Sequence, residues 1–161
     1  MKTLKAPNIK KPDFVSDVSI KVRPEIKVVS LAGMGDPLET FDHKVSEVFA
    51  WLGDKWVRVG NTLGVYYKDR RNVGVENVEW DACVPVDKEV KTEGELKYQV
   101  LLEKKVASLT LTGGYDLIGP ALKYLEAVTE ANGIKTSWPL TEVYLEEGER
   151  PVTELQYLVK E

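Results

Sequence analysis

The chain has 161 residues, of which 43% are hydrophobic and 30% charged, with a formal net charge of −4 and a single cysteine. This length fits one domain, or two small ones that share a core. Mild acidity argues against a nucleic-acid surface, which usually carries a basic patch. The lone Cys83 excludes an intramolecular disulfide framework. Since no segment approaches the roughly 20 apolar residues of a membrane span, we expect a cytoplasmic protein.

Residues 1–17 predict a flexible tail ahead of one folded region at 18–160. The segment is polar and rich in lysine, and it lacks the apolar centre of a signal peptide. It is too short to hold a helix-turn-helix. We therefore expect no direct contact with nucleic acid and none with a membrane.

The folded region begins with a module, at about 18–95, whose pattern is strand, helix, strand, strand. Its first strand is predicted at the short, apolar and β-branched residues 28–31. Asp36 has the side chain of a helix N-cap, and Pro37 stands at the first helical position, where a missing N–H costs little. Two further strands are predicted at 63–67 and 79–84.

A second module, at about 96–160, repeats this pattern. Residues 106–109 resemble residues 28–31 at an offset of 78, and strands are predicted at 141–145 and 153–158. Asp116 is the predicted N-cap of the second helix, with Pro120 in the first helical turn.

Both predicted helices carry one apolar face and end on a glycine, Gly53 or Gly133. The two apolar stripes have the same spacing of 3, 4 and 3: Leu38, Phe41, Val45 and Val48 in the first helix, and Ile118, Ala121, Leu125 and Val128 in the second.

These patterns predict an α+β fold built from tandem duplicated β-α-β-β modules, which form a pseudo-twofold domain with a central groove. Clefts at such junctions are common ligand sites. Alternation along the strand at 141–145 predicts that Val143 and Leu145 face the helix, so that Glu142 and Tyr144 face the other way.

Six Trp and Tyr side chains are candidates to line the groove, because their rings combine a flat apolar face with a polar group. They are Tyr66, Trp80, Tyr115, Trp138, Tyr144 and Tyr157. Such a lining suits flat or cationic organic ligands, although each single ring has the alternative of a core or surface position. Trp51 and Trp56 are candidates to close the groove.

The stretch Leu-Thr-Leu-Thr-Gly-Gly-Tyr-Asp at 109–116, followed by a helix and by Glu142-Val143-Tyr144, resembles the GyrI-like effector-binding family. That family includes the ligand domains of AraC-type and MerR-type multidrug-responsive regulators as well as stand-alone proteins. The resemblance covers about residues 18–160 and implies a stand-alone member with a pocket at the pseudo-twofold axis. It implies Glu142 at the pocket floor, with Tyr115, Tyr144 and Tyr157 around it.

The turn departs from the family pattern, with Thr112 and Gly114 where many relatives carry histidine and proline. The expected chemistry is nevertheless coherent, because a carboxylate among aromatic rings loses hydration and a lipophilic cation compensates for that loss. The alternative for Glu142 is a solvated strand glutamate, one of 26 acidic residues.

The sequence therefore predicts a small-molecule-binding protein that holds aromatic or cationic ligands. Two alternatives stay open. One is a hydrolase of reactive cyclopropane-containing compounds, with Glu142 as base and Tyr66 or Tyr144 as proton donor. The other is a protein-interaction module of the gyrase-inhibitor kind, acting with a separate protein partner.

Metal and cofactor sites find little support in the sequence. One histidine and one cysteine are too few for the usual zinc ligand sets. His43 is predicted to face solvent on the first helix, with no nucleophile motif beside it. The Gly33-x-Gly35 turn lacks the third glycine and the lysine of phosphate-binding loops.

Overall fold

A computed structural model describes residues 1–54, 57 and 59–160, which form a mixed α+β fold as predicted. The strands and α-helices of this part of the chain are, in order, β1 (Lys2–Thr3), β2 (Ser19–Arg23), β3 (Ile26–Met34), α1 (Pro37–Leu52), β4 (Leu63–Tyr66), α2 (Arg70–Val73), β5 (Glu79–Pro85), β6 (Lys97–Leu101), β7 (Lys104–Thr112), α3 (Ile118–Ala131), β8 (Thr136–Glu146) and β9 (Val152–Val159). None of the helices in these residues is long and apolar enough to cross a membrane.

The chain divides into two compact units. Unit 1 comprises Met1–Arg23 and Lys104–Glu161, and unit 2 comprises Pro24–Glu103. All pairings described within each unit are antiparallel, in the order β1-β2-β7-β9-β8 in unit 1 and β4-β5-β3-β6 in unit 2.

The unit boundaries differ from the predicted modules at 18–95 and 96–160. The cause is long-range pairing of two strands, since β2 precedes β3 in the chain but pairs with β7. In the same way β6 precedes β7 but pairs with β3. Each strand therefore belongs to the unit of the strand with which it pairs.

The predicted order of strand, helix, strand, strand occurs in both units. Unit 2 has β3, α1, β4 and β5, with β5 between β3 and β4; unit 1 has β7, α3, β8 and β9, with β9 between β7 and β8. The matched pairing places equivalent sequence positions at equivalent places in each sheet. The duplication itself and the pseudo-twofold arrangement stay predictions.

Helix α1 begins as its sequence predicts. The Asp36 carboxylate accepts a hydrogen bond from the Leu38 N–H at 3.0 Å, with Pro37 at the start of the helix. The helix ends at Gly53, whose φ of 55° suits a residue without a side chain. The predicted stripe is wrong at Leu38, which is 67% exposed. Leu38 lies in the first turn, whereas the buried face is formed by Phe41, Val48 and Leu52 together with Pro37.

Helix α3 keeps its predicted stripe but not its predicted cap. All four stripe residues, from Ile118 to Val128, are buried. Asp116 is not the N-cap, because a 3₁₀ turn occupies Tyr115–Leu117 and the α-helix starts one residue later without a side-chain cap. Pro120 lies in the first turn as predicted. Gly133, with a φ of 70°, follows the helix and donates its N–H to the Glu130 carbonyl.

The segment predicted as a flexible tail, residues 1–17, is instead attached to unit 1. Strand β1 pairs with β2, and Leu4 and Val15 are buried. The Ser16 N–H donates to the Thr110 carbonyl at 2.9 Å, and the Thr112 N–H donates to the Phe14 carbonyl at 2.8 Å. The apolar residues that anchor this segment, such as Leu4 and Val15, are scattered among lysines and prolines and form no periodic pattern.

Candidate functional site

The candidate site begins with Glu142 in the middle of β8, whose side chain has no solvent exposure. Glu142 lies opposite Leu155 of β9, and Leu140 lies opposite Tyr157. Residues opposite one another in an antiparallel ladder, and residues two apart on one strand, project from the same face of the sheet. Leu140, Glu142, Leu155 and Tyr157 therefore share one face of the unit 1 sheet.

That face is the one covered by helix α3. The Tyr157 hydroxyl donates a hydrogen bond to Glu126 Oε2 of α3 at 2.7 Å. The prediction that Val143 and Leu145 face the helix is therefore wrong for Val143, which lies half-buried on the opposite face. Leu145 falls in a register shift between Tyr144 and Glu146 that interrupts the alternation. The prediction assumed that the aliphatic residues of β8 face the helix. The helix-facing side instead has the Glu142 carboxylate at its centre.

The Glu142 carboxylate has a tyrosine beside it. The Tyr144 hydroxyl, two residues along the same strand, donates to Glu142 Oε1 at 3.1 Å. Burying a carboxylate is costly unless hydrogen bonds or a positive charge compensate for the lost hydration. The Tyr144 hydroxyl thus supplies one of the hydrogen bonds that this buried carboxylate needs.

Two further predicted residues meet on unit 1. The rings of Trp138 and Tyr157 lie 5.6 Å apart between centroids, tilted by 59°, which is a favourable aromatic geometry. Trp138 is half-buried, whereas Tyr157 is buried. Tyr115 lies in the 3₁₀ turn that leads into α3. Five of the predicted site residues therefore belong to unit 1, namely Glu142, Tyr115, Trp138, Tyr144 and Tyr157.

The other two predicted residues, Tyr66 and Trp80, belong to a buried aromatic cluster in unit 2. The Phe41 ring of α1 lies 5.3 Å from the Trp80 ring and 6.4 Å from the Tyr66 ring. The Trp80 indole N–H donates to the Gly35 carbonyl at 3.1 Å, and the Arg70 guanidinium lies 5.4 Å from the Tyr66 ring centroid. The cluster fills the space between α1 and the sheet of unit 2.

Gly64 explains why unit 2 has room for this cluster. Gly64 is the counterpart of Glu142 at the offset of 78. A Cβ placed at Gly64 would lie 2.7 Å from Tyr66 Cε1 and 3.0 Å from Phe41 Cε2. The rings thus occupy the space that a side chain would need.

Sequence reasoning missed Glu126, the partner of Tyr157. Glu126 follows Leu125, a member of the apolar stripe of α3. A polar residue next to the buried face could have indicated a hydrogen-bond partner for a buried hydroxyl. Of the candidates to close the groove, Trp51 donates its indole N–H to Glu93 Oε1 at 3.4 Å. Trp56 lies outside the described residues.

The strongest described pKa shifts lie on the other face of the unit 2 sheet. The Tyr67 hydroxyl donates to Asp81 Oδ2 at 2.6 Å, and burial together with this carboxylate raises the pKa of Tyr67 well above its ordinary value. Burial also raises the pKa of the Cys83 thiol. Within residues 1–54, 57 and 59–160, no three His, Cys, Asp or Glu side chains form a group that could hold a metal ion.

Comparison with known proteins places the chain in a family. The model of the GyrI-like small molecule binding domain matches residues 16–160. The chain belongs to the GyrI-like small-molecule-binding family. A search of curated proteins returns no match.

Solved structures share this GyrI-like fold at low sequence identity. The crystal structure of the EcmrR C-terminal domain has a TM-score of 0.77 at 20% identity, over 89% of this chain and 97% of that domain. EcmrR in a cryo-EM complex with DNA has a TM-score of 0.79 at 18% identity, over 92% of this chain. The match spans only 58% of that EcmrR chain.

Two further solved structures, a hydrolase and a ligand complex, share the fold. A hydrolase from Listeria innocua has a TM-score of 0.66 at 13% identity, over 89% of this chain and 91% of the hydrolase. SAV2435, solved bound to tetraphenylphosphonium, has a TM-score of 0.61 at 12% identity, over 90% of this chain and 94% of SAV2435. At these identities the likeness shows the fold alone.

Proposed function

We propose that this GyrI-like chain binds aromatic organic cations, with Glu142 as the countercharge. The observation that carries the proposal is the complete burial of this carboxylate on the helix-facing side of the unit 1 sheet. Removing a carboxylate from water costs several kcal/mol. A cationic ligand beside the carboxylate offsets part of that cost, so the buried charge would serve ligand binding.

The surrounding rings of unit 1 suit the same ligand class. Trp138 and Tyr157 form a tilted pair, and Tyr144 contacts the carboxylate directly. A cation held over an aromatic face gains about 0.5–2 kcal/mol, more when water is excluded. SAV2435 shares the fold and was solved with tetraphenylphosphonium, a cation with four aromatic rings. Contacts from Tyr66 and Trp80 to the same ligand stay a prediction.

Calorimetric titration with tetraphenylphosphonium tests this proposal. We expect Glu142→Gln, which keeps the shape of the side chain and removes its charge, to weaken binding at least tenfold. Glu146→Gln is the matched control, because Glu146 lies on the same strand but is exposed. Thermal melting of each variant checks that it is folded. Equal affinity of the Glu142→Gln variant and the unaltered protein would refute the role of the carboxylate.

Hydrolysis of an electrophilic ligand is a second candidate, favoured by the contact between the Tyr144 hydroxyl and Glu142. Glu142 would take a proton from water, and the water oxygen would bond to a cyclopropane carbon of the ligand. The ring C–C bond would break, and its electron pair would pass to a conjugated acceptor, which Tyr144 protonates. Product formation that Glu142→Gln abolishes, with binding retained, would establish catalysis; binding without turnover would reject it.

A further inference from the structure

Unit 2 contains a groove of about 770 Å³ beside the end of β3, which includes Trp80 but none of the candidate site residues of unit 1. Its lining includes three residues of β3, three carboxylates and two lysines. The lining residues used below are Ala32, Gly33, Met34, Glu79, Trp80 and Asp81.

Strand β3 has an edge beside this groove that β6 does not cover. The ladder between β3 and β6 ends at Ser30 opposite Lys97, although β3 continues to Met34. The Lys27 carbonyl accepts from the Val86 N–H at 2.9 Å on the side facing β5. Because main-chain groups alternate sides along a strand, those of Ala32 and Met34 point away from β5. They lie on the side where β6 pairs with β3, but beyond the end of that ladder.

The counterpart of this edge in unit 1 is covered. Thr110 and Thr112 of β7 correspond to Ala32 and Met34 at the offset of 78. The Ser16 N–H donates to the Thr110 carbonyl at 2.9 Å, the Thr110 N–H donates to Ser16 Oγ at 2.8 Å, and the Thr112 N–H donates to the Phe14 carbonyl at 2.8 Å. An extended segment at 14–16 thus serves as a short extra strand.

We infer that the edge at Ala32–Met34 binds an extended peptide segment of a partner protein. The segment adds a strand to the sheet, and its main chain makes the two backbone hydrogen bonds that Phe14 and Ser16 make in unit 1. Unpaired strand edges commonly recruit such strands. The covered edge in unit 1 shows which geometry the partner takes.

The same geometry specifies the side chains of the partner. Val15 forms a bridge with Leu111, whose counterpart is Gly33, so the central peptide residue lies beside Gly33 and Trp80. An apolar residue suits this position. The two flanking residues lie on the other face, where the groove presents Glu79 and Asp81 along with exposed Met34. Glu79 also pairs with Lys68 at 3.1 Å and Asp81 accepts from Tyr67, so the partner's cations add to these contacts. Basic residues suit those positions, which gives a basic–apolar–basic segment.

The test uses the acetylated and amidated peptide Thr-Lys-Val-Lys-Thr, titrated into the full chain by calorimetry. N-methylation of the second lysine removes the N–H equivalent to that of Ser16, and we expect at least a tenfold loss of affinity. N-methylation of the valine is the matched control, because the equivalent Val15 N–H points away from the edge, toward the Pro12 carbonyl. That control peptide should bind like the parent, and a glutamate-for-lysine peptide should bind more weakly.

A variant of the protein supplies the second arm. Ala32→Pro removes the edge N–H that, in a regular antiparallel pair, donates to the carbonyl of the second lysine. A strand edge tolerates proline at such a position, and we expect peptide affinity to fall at least tenfold. Tetraphenylphosphonium binding should be unchanged in Ala32→Pro, which separates this inference from the proposed function. If that variant does not fold, the two N-methylated peptides decide the matter.

Three results would overturn the inference. They are absence of peptide binding, equal affinity of both N-methylated peptides, and a dimer of this chain that sedimentation shows is lost in Ala32→Pro. The last result would identify a second copy as the occupant.

Discussion

Unit 1 and unit 2 share an order of elements and a pattern of strand pairing, yet they differ at the centre of the helix-facing surface. Unit 1 has the buried carboxylate of Glu142 there, with the Tyr144 hydroxyl bonded to it. Unit 2 has Gly64, and the rings of Tyr66 and Phe41 fill the space above it. The same position thus carries a charged group in one unit and a packed aromatic core in the other.

This difference separates what the topology determines from what the side chains determine. Strand order and register fix where a residue points, which is why Glu142 and Gly64 occupy equivalent places. The residue type then decides whether the place holds packed rings or a buried charge. The comparison predicts that placing a charged side chain at Gly64 in unit 2 lowers the free energy of unfolding.

Introducing a carboxylate into unit 2 should have the largest effect. Gly64→Glu would force a charged side chain against the Tyr66 and Phe41 rings. We expect a loss of about 4 kcal/mol or more in the free energy of unfolding, because the change combines overpacking with an uncompensated buried charge. Urea unfolding measures the loss. Gly64→Ala, which adds only the Cβ, should lose less, and equal stability of all three proteins would show that unit 2 has room for a side chain.

The first turns of the two helices offer the next contrast. Ile118 of α3 is 3% exposed, whereas Leu38 at the equivalent position of α1 is 67% exposed. Ile118→Ala should cost about 3 kcal/mol, as truncations of a buried aliphatic side chain do. Leu38→Ala should change stability by no more than about 0.5 kcal/mol. Comparable losses in the two variants by thermal or urea unfolding would mean that α1 buries its first turn as α3 does.

Gly33 provides a smaller effect within unit 2. A Cβ at Gly33 would lie 2.3 Å from Cη2 of the Trp80 ring, so the ring must move. Gly33→Ala should therefore cost about 2 kcal/mol, and it should alter the near-ultraviolet circular dichroism of tryptophan. Gly119→Ala in α3 is the control, because no atom lies within 4 Å of its added Cβ. That variant should gain about 0.5–1 kcal/mol. A stable Gly33→Ala protein with an unchanged tryptophan spectrum would contradict the packing of Trp80.

The smallest expected effect concerns Tyr67 and alkaline pH. Burial and the Asp81 carboxylate raise the pKa of Tyr67 above its ordinary 10.0 in the folded protein. The neutral phenol therefore contributes stability that is fully present below the unfolded pKa and is lost as pH rises through the higher folded pKa. Tyrosinate absorbance at 295 nm should show a late-ionising tyrosine that is missing from Tyr67→Phe. Asp81→Asn should bring its ionisation earlier, and an unchanged titration in that variant would exclude the carboxylate as a cause.

Local patterns predicted the parts of the fold that depend on near neighbours. The cap at Asp36 and the buried stripe from Ile118 to Val128 follow from residues only a few positions apart. Asp116 failed as a cap because a 3₁₀ turn shifts the helix start beyond it. A glycine-rich turn permits both starts, and short-range spacing does not choose between them.

Distant pairing was not predictable from the same patterns. The pairing of β2 with β7 and of β6 with β3 depends on contacts between residues about 70–90 positions apart. Examples are Ser19 with Ser108 and Ser30 with Lys97. The orientation of Glu142 likewise depends on which face α3 covers, and aliphatic alternation gave the wrong answer. The family resemblance identified Glu142 as a candidate residue. The strand register then showed that its side chain lies on the face covered by α3.

The central claim is that the charge of Glu142 binds cationic ligands. Its most direct test compares calorimetric affinities for tetraphenylphosphonium and for neutral triphenylphosphine oxide, in the unaltered protein and in Glu142→Gln. We predict that the unaltered protein prefers the cation at least tenfold, about 1.4 kcal/mol. Glu142→Gln should lose that preference while keeping its affinity for the neutral compound. A preference for the cation that persists in Glu142→Gln would contradict the claim.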